Sequence, residues 1–260
     1  MTALSTPFKD SDQAAGLRRL FAAPRQQIVP VPANRQIDCS GVLLERLSLG
    51  FSALGARVFV IDAADSSPEP HELVDIDLPA CIERLGTGVH YLAARGLPRR
   101  HVNTRGSSEA WLSAVAECVP QADVVIVHAE ARDLCRLLGR REVAPVLMSE
   151  LSSESLTEAY AAMKLLSQRC GLMAFDLLVG MASRPRRAAR VAERLASCAD
   201  NFLSAVLRSW AAVDRDQPIT APVSAELGRL AANQLTALEG QATLSLPPVR
   251  AQYGHAMALD

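Results

Sequence analysis

The sequence has 260 residues, of which 49% are hydrophobic, and its 27 basic side chains nearly balance its 28 acidic ones. This composition excludes a disordered chain, and the charge balance excludes a general attraction to nucleic acid or to an anionic membrane. A partner must therefore be recognised by a local surface. The start of the sequence lacks the pattern of a secretory signal, and no apolar run reaches the roughly 20 residues that span a bilayer. We therefore expect a cytoplasmic protein.

The cysteines and histidines show neither a disulfide pattern nor a metal-binding pattern. No CxxC pair occurs, and no histidine lies at metal-ligand spacing from another histidine or from a cysteine. We expect the cysteines to be small buried apolar residues, and we expect no metal site. The six positions are Cys39, Cys81, Cys118, Cys135, Cys170 and Cys198.

The predicted elements begin with a short helix within residues 1–24, where Asp10 and Gln13 form a capping box and Pro24 ends the segment. Short apolar runs then alternate with segments of helical period, which is typical of βαβ units. The predicted strands cover 27–31, 57–62, 89–93, 123–128, 144–148, 175–179 and 209–213. The predicted helices lie near 42–54, 107–118, 155–170, 186–207 and 224–239.

These elements predict a doubly wound α/β domain over residues 25–240, with a mostly parallel sheet and helices on both faces. The last predicted helix has neither a face of Lys and Arg nor bulky aromatic residues, so we expect no membrane-surface anchor. Residues 241–260 contain Pro247 and Pro248 without a sustained period, and we expect a flexible C-terminal tail there.

Two internal stretches resemble ATPases of the ParA/MinD family. The stretch GARVFVIDAAD at 55–65 is similar to the second strand of that family. The stretch SLTEAYAAMKLL at 155–166, with Ser155 as the expected N-cap and Glu158 at the third helical position, resembles the family segment in which a strand end leads into a helix. The resemblance implies a fold of the P-loop NTPase type.

A third motif narrows the resemblance to the FlhG branch, also called FleN or YlxH. Residues 12–18 read DQAAGLR, which is similar to the D-Q-A-x-x-L-R motif of that branch. The resemblance implies that this segment binds the signal-recognition-type GTPase FlhF and stimulates its GTP hydrolysis. The alternative is a helix that only packs on the core through an ordinary apolar stripe. The implied partner-binding residues are Asp12, Gln13, Ala14, Leu17 and Arg18.

The nucleotide loop of the family, K-G-G-V-G-K-T, is not preserved. In that loop glycines let backbone amides surround the phosphates, the second Lys neutralises them, and the Thr binds Mg²⁺. An ungapped count back from Gly55 places Arg35 at the first lysine, Ser40 at the phosphate lysine and Gly41 at the threonine. No glycine remains inside the loop, and Asp38 adds negative charge where phosphates would lie.

The remaining nucleotide positions have changed as well. The position of the Walker B aspartate is His128, and the position of the asparagine that reads the base is Gly180. Only Asp62 matches a family carboxylate, the one that orients the attacking water, and an Asp that caps the turn after its strand is the alternative. The resemblance therefore implies a pseudo-ATPase without catalytic residues, nucleotide cofactor or metal, and a monomer rather than a nucleotide-sandwich dimer.

The resulting hypothesis is an FlhG-like regulator of flagellar number and placement that acts by protein interaction. Its body would contact flagellar regulators or basal-body proteins. One alternative is an ATPase with an unconventional loop, in which Arg35 binds phosphate through its forked guanidinium. Another is a MinD-like protein of a different system, such as cellulose synthesis or partition. The basic run at 183–190 is expected to be a solvated helix face rather than a phosphate site.

Overall fold

The computed structural model describes residues 26–86, 88–181 and 185–244, with the backbone alone at 185 and 237–244. The predicted N-terminal helix and its residues Asp12, Gln13, Ala14, Leu17 and Arg18 lie outside the described residues. The strands are β1 (Gln27–Pro32), β2 (Val58–Asp62), β3 (Glu83–Arg84), β4 (Val89–Ala93), β5 (Val124–Ala129), β6 (Val146–Ser149), β7 (Ala174–Met181) and β8 (Val206–Asp214). The helices are α1 (Ser40–Ser52), α2 (Leu97–Arg100), α3 (Glu109–Glu117), α4 (Ala131–Leu138), α5 (Ser153–Cys170), α6 (Pro185–Leu203) and α7 (Ala225–Leu244), with a 3₁₀ turn at Pro79–Cys81.

The strands form two neighbouring sheets. The first has the order β1-β5-β2-β4-β3, in which only the β3–β4 pair is antiparallel, and the second has the order β6-β7-β8 and is parallel. Strand β1 lies beside β6, so the two sheets continue one another. The predicted α/β architecture with a mostly parallel sheet is confirmed.

Prolines explain why no strand ladder joins β1 to β6. The amides of Gln27 and Ala33 donate to carbonyls of the β5 side, at 2.9 and 2.8 Å, so the odd-numbered amides of β1 face β5. The even-numbered positions of β1 therefore face β6, and two of them are Pro30 and Pro32. Proline has no amide hydrogen to donate. The seam between the sheets consequently depends on side chains.

Each face of the sheets carries its own apolar core. Helices α1 and α7 cover one face, where Leu47 and Phe51 pack with strand residues such as Val31. Helices α3 to α6 cover the other face, where Met163 and Leu195 belong to the same cluster as the alternate strand residues. This alternation follows from the two-residue period of strands.

Two of the differences between predicted and observed helix ends have a clear local cause. Helix α5 begins one turn earlier than expected, because the Oγ of Ser152, not of Ser155, caps it by accepting the amide of Ser155 at 3.2 Å. Helix α6 begins at Pro185, one residue before the predicted start, and ends at Leu203 instead of 207. Ser204 has a positive φ of 51°, and the Ala205 amide bonds back to Ala199 at 3.2 Å, which closes the helix.

Several short elements were not predicted. They are α2, α4, β3 and the 3₁₀ turn. Helix α7 also extends to Leu244, beyond the expected start of the tail at 241. The six cysteines are free, but only Cys39 is fully buried, so the expectation of six buried cysteines was wrong. Among the described residues, no helix has the length and apolar content needed to cross a membrane.

Arg46 links helix α1 to the connection between β8 and α7. Its guanidinium donates to the carbonyls of Gln217 at 2.9 Å, Pro218 at 2.6 Å and Ala221 at 3.2 Å. The residue is only 5% exposed. A buried charge needs such partners, because its desolvation is costly without them. Arg46 thus fixes a loop that has little regular structure of its own.

Candidate functional site

The candidate site lies where the carboxyl ends of β1, β2 and β5 meet. In parallel α/β sheets ligands bind at this edge. The loop 33–39 leaves β1 here and leads into α1, which begins at Ser40 instead of near residue 42, so Ser40 and Gly41 lie in its first turn. Gly41 is exposed, and a Cβ atom built on it would meet nothing within 4 Å. No close approach of backbone to a neighbouring group therefore requires glycine at this position.

Asn34 holds the loop in place. Its Oδ1 accepts the amide of Gln36 at 3.0 Å, while its Nδ2 donates to the carbonyls of Met148 at 2.9 Å and Ser155 at 2.8 Å. The side chain therefore forms an Asx turn and also joins β1 to β6 and α5. Sequence reasoning missed this residue, although an Asn directly after a strand is a typical signal for such a turn.

The carboxylate of Glu150 lies at the amino end of α1. Its Oε1 accepts the amide of Asp38 and the thiol of Cys39, both at 3.2 Å. The amino end of a helix favours negatively charged groups, and Glu150 lies where a phosphate would otherwise bind. Burial and the hydrogen bond to Glu150 raise the pKa of the Cys39 thiol to about 12, so this side chain is neutral. The set Asp38, Cys39 and Glu150 is called the Cys39–Glu150 contact below.

Gly180 on β7 lies directly against this contact. A Cβ atom at position 180 would stand 2.8 Å from the Cys39 Sγ and 3.5 Å from the Glu150 Cγ. Only glycine leaves enough room for the thiol there. The alignment assigned Gly180 to the base-reading position but gave no role to Cys39 or Glu150. The sequence holds no signal for this packing, because Cys39, Glu150 and Gly180 are far apart in the chain.

Asp62 and His128 lie side by side at the ends of β2 and β5, in parallel register. The His128 Nδ1 is 2.7 Å from the Asp62 Oδ1, the Tyr91 hydroxyl donates to Oδ2 at 3.0 Å, and the Ser67 hydroxyl donates to Oδ1. Ser67 belongs to the turn after β2. Asp62 therefore bonds to that turn, as the alternative interpretation expected, and also to two neighbouring strands.

The electrostatics of this group keep Asp62 ionised. Burial raises the pKa of the Asp62 carboxyl, but the hydrogen bonds from His128, Ser67 and Tyr91 outweigh it, and the pKa lies below its usual value. Burial and the neighbouring Asp62 carboxylate raise the pKa of Tyr91, so its hydroxyl keeps its proton. The His128 Nε2 is buried and has no partner among the described residues.

Arg35 points away from these groups into an outer cleft of about 680 Å³ between α4 and α5. Its guanidinium lies 2.7 Å from the Asp65 carboxylate and 3.5 Å from the Glu130 carboxylate. Arg99 continues the chain of ion pairs by bonding Asp65 at 2.9 Å and the buried Asp133 at 2.8 Å. Arg35 is therefore already paired with carboxylates, at the position that the alignment gave to the first lysine of the family loop.

The described residues offer few groups for Mg²⁺ or a triphosphate. They contain no cluster of three or more His, Cys, Asp or Glu side chains that could hold a metal ion. The sequence has no Lys between Lys9 and Lys164, and the loop 33–39 has no glycine. These are the residue types through which a P-loop contacts the phosphates. The arrangement is instead suited to holding β1, β6 and β7 together.

No protein-family model matches the sequence, and no curated protein matches it. Solved structures do resemble it. MinD from Aquifex aeolicus aligns with a TM-score of 0.52 and 13% identity over 86% of this chain and all of MinD. Cobyrinic acid a,c-diamide synthase from Mycobacterium smegmatis, solved with an ATP analog and magnesium, aligns with a TM-score of 0.58 and 15% identity over 84% of this chain and 97% of the synthase.

A plasmid partition protein from Borrelia burgdorferi aligns with a TM-score of 0.51 and 8% identity, over 84% of this chain and all of that protein. These similarities show that the chain has the fold of ParA/MinD-type P-loop NTPases, as predicted. At identities this low the similarity shows the fold but not the function, because one fold serves many functions. They do not distinguish the flagellar branch from its relatives.

Proposed function

We propose that this chain is a ParA/MinD-type protein that has lost nucleotide hydrolysis and acts by binding other proteins. The observation that carries the proposal is the Cys39–Glu150 contact. A carboxylate already accepts the amide and the thiol at the start of α1, where a nucleotide phosphate would need donors. A carboxylate at this place repels a phosphate, and Arg215, 3.8 Å from Glu150, offsets only part of its charge because the arginine is partly exposed.

Glu150 is one of several differences from the family loop that oppose nucleotide binding. The phosphate lysine, the glycine turn, the Mg²⁺ hydroxyl and the Walker B carboxylate are absent together. Hydrogen bonds to charged groups contribute about 1.5–3 kcal/mol each. A micromolar site corresponds to about 8 kcal/mol of binding free energy. Losing several such contacts therefore removes a site of ordinary affinity.

Calorimetry with Mg·ATP tests the first part of this proposal. We expect no binding heat at millimolar nucleotide and no phosphate release above the blank, with a complete P-loop ATPase as the positive control. Glu150→Ala removes the repulsion but restores no lysine or glycine, so it should also fail to bind. A micromolar dissociation constant for the unmodified protein would contradict the proposal and favour the ATPase with an unconventional loop.

For the partner, we propose an FlhF-type GTPase bound by residues 12–18 in the manner of FlhG, with flagellar number and placement as the regulated property. The support is the DQAAGLR motif, together with a fold that is compatible with that branch. The body would act as a scaffold that also contacts flagellar regulators or basal-body proteins. A short helix can dock in a partner groove with few anchoring residues.

A pull-down with an FlhF-type GTPase, followed by a GTPase assay, tests the partner. Co-purification and faster GTP hydrolysis are expected. If neither occurs while the folded protein still fails to bind ATP, the chain belongs with MinD-like proteins of another system, and residues 12–18 match the motif by coincidence. The two parts of the proposal are thus tested separately.

A further inference from the structure

Three arginines converge on a second cleft between α4 and α5. Arg132 and Arg136 are one turn apart on α4, and Arg169 lies in the last turn of α5. They line a cleft of about 510 Å³ together with Cys135 and Leu165. Residues four apart on a helix lie on the same face, which explains why Arg132 and Arg136 point to one place. This site is called the arginine cleft below.

The positive charge of the arginine cleft is largely uncompensated. No acidic residue lines it. Arg132 and Arg169 are exposed and form no ion pair within residues 26–86, 88–181 and 185–236. Arg136 does pair with Asp133, but that carboxylate is shared with Arg99. Because the whole chain is close to neutral, this charge is a local feature.

The thiol of Cys135, which also lines the cleft, adds no negative charge. Hydrogen bonding to Cys170 and burial raise the pKa of this thiol, so Cys135 remains neutral. Guanidinium groups bind oxyanions through two parallel hydrogen bonds. The cleft therefore matches a ligand that presents several carboxylates or phosphates.

The shape of the site favours a polypeptide over a small molecule. The arginine cleft shares Arg132, Arg136 and Leu165 with the outer cleft of about 680 Å³, so one open groove continues along α4 and α5. The carboxylates of this groove, Asp65, Glu130, Asp133 and Glu158, line only its outer part, so an acidic ligand should contact the arginine end. Small-molecule sites are usually enclosed and mostly apolar. We propose that the arginine cleft binds an acidic segment of a partner protein, rich in Asp and Glu. The site is separate from residues 12–18 and does not depend on the function proposed for them.

A fluorescein-labelled deca-aspartate peptide is a suitable probe, with fluorescence anisotropy measured at low salt. We expect saturable binding that weakens as salt is added, because the charges involved are exposed. Arg132→Glu with Arg169→Glu should weaken binding at least tenfold. Arg186→Glu with Arg187→Glu is the matched control, since both residues are exposed on α6 and the change in charge is the same. This control should shift the dissociation constant less than threefold.

Circular dichroism verifies that each variant is folded, and Arg132→Gln with Arg169→Gln replaces the Glu pair if that pair unfolds. If the Arg186 and Arg187 control weakened peptide binding as much as the Arg132 and Arg169 variant, the peptide would be bound by net charge alone, and the proposal would be overturned. Inorganic phosphate that displaces the peptide at equal charge concentration would instead assign the cleft to small anions. Absence of saturable binding would also overturn it.

Discussion

The Sγ atom of Cys39 occupies the space in which a side chain at position 180 would begin, 2.8 Å from where the Cβ atom would stand. The thiol, at the start of α1, and the glycine, near the end of β7, therefore form a matched pair. The resemblance to the ParA/MinD family places the base-reading asparagine of that family at position 180, where this chain has glycine. In this chain the same position forms part of the internal packing.

Gly180→Ala should lower the free energy of unfolding by about 1–3 kcal/mol, because the added methyl group overlaps the buried thiol. Cys39→Ala should relieve the overlap, so that the double variant loses less stability than the two single variants combined. Urea unfolding of all four proteins measures this coupling. Gly228→Ala is the control: its Cβ would meet nothing within 4 Å on helix α7, and alanine there should leave stability unchanged or raise it. Additive effects of the first pair would contradict the contact.

Asp62→Asn should cost about 2–4 kcal/mol at neutral pH, because the amide places a donor among the Tyr91, Ser67 and His128 groups that now donate to the carboxylate. The pKa of Asp62 is lowered in the folded protein, so its contribution is present above the ordinary value of 3.8 and is lost as the pH falls through the folded pKa. The difference between wild type and variant should therefore shrink in acid. Asp200→Asn, at an exposed position on α6, serves as the control and should have little effect.

Arg46→Met should lower the free energy of unfolding by about 2–3 kcal/mol, since it keeps the apolar stem but removes the donors to three loop carbonyls. The loop 215–224 should also become more accessible to protease. Arg194→Met, on the exposed side of α6, is the matched control and should change neither property. Unchanged protease sensitivity in Arg46→Met would mean that other contacts hold the loop.

Mg·ATP should not convert the protein into a dimer. A nucleotide-sandwich dimer needs a triphosphate between facing loops and a lysine that reaches across. At the corresponding position Arg35 is paired with Asp65 and Glu130. Light scattering with and without Mg·ATP should give the same mass. A dimer that forms only with nucleotide would argue for a working site.

A peptide covering residues 5–24 should stimulate GTP hydrolysis by the FlhF-type GTPase, more weakly than the whole protein. Leu17→Ala with Gln13→Ala should abolish stimulation by the whole protein without lowering its stability, because Leu17 is the expected apolar anchor and Gln13 a hydrogen-bonding group. Thr6→Ala with Lys9→Ala, outside the motif, is the control. Full activity of the Leu17 and Gln13 variant, or loss of its fold, would show that the segment only packs on the body.

The seven strands with strong apolar runs could be predicted from the sequence, because buried parallel strands need such runs on both faces. Helix α4 was missed because it is short and because a buried charge, Asp133, interrupts its apolar stripe of Leu134, Leu137 and Leu138. Asp62 and His128 were each identified from the sequence as strand-end residues, but their direct contact was not predicted. The Cys39–Glu150 contact could not be predicted either, because it depends on how the start of α1, the end of β6 and strand β7 pack together.

Because of the prolines in β1, the Cys39–Glu150 contact is one of the side-chain links between the two sheets. Pro30 and Pro32 leave a joint without a main-chain ladder between the five-stranded and three-stranded sheets. Cys39 belongs to the first sheet's loop, whereas Glu150 and Gly180 belong to the second sheet. This contact and the hydrogen bonds of Asn34 therefore connect the two sheets where no main-chain ladder does. The carboxyl edge, where parallel α/β sheets bind ligands, is thus an edge at which side chains of this protein join its two sheets.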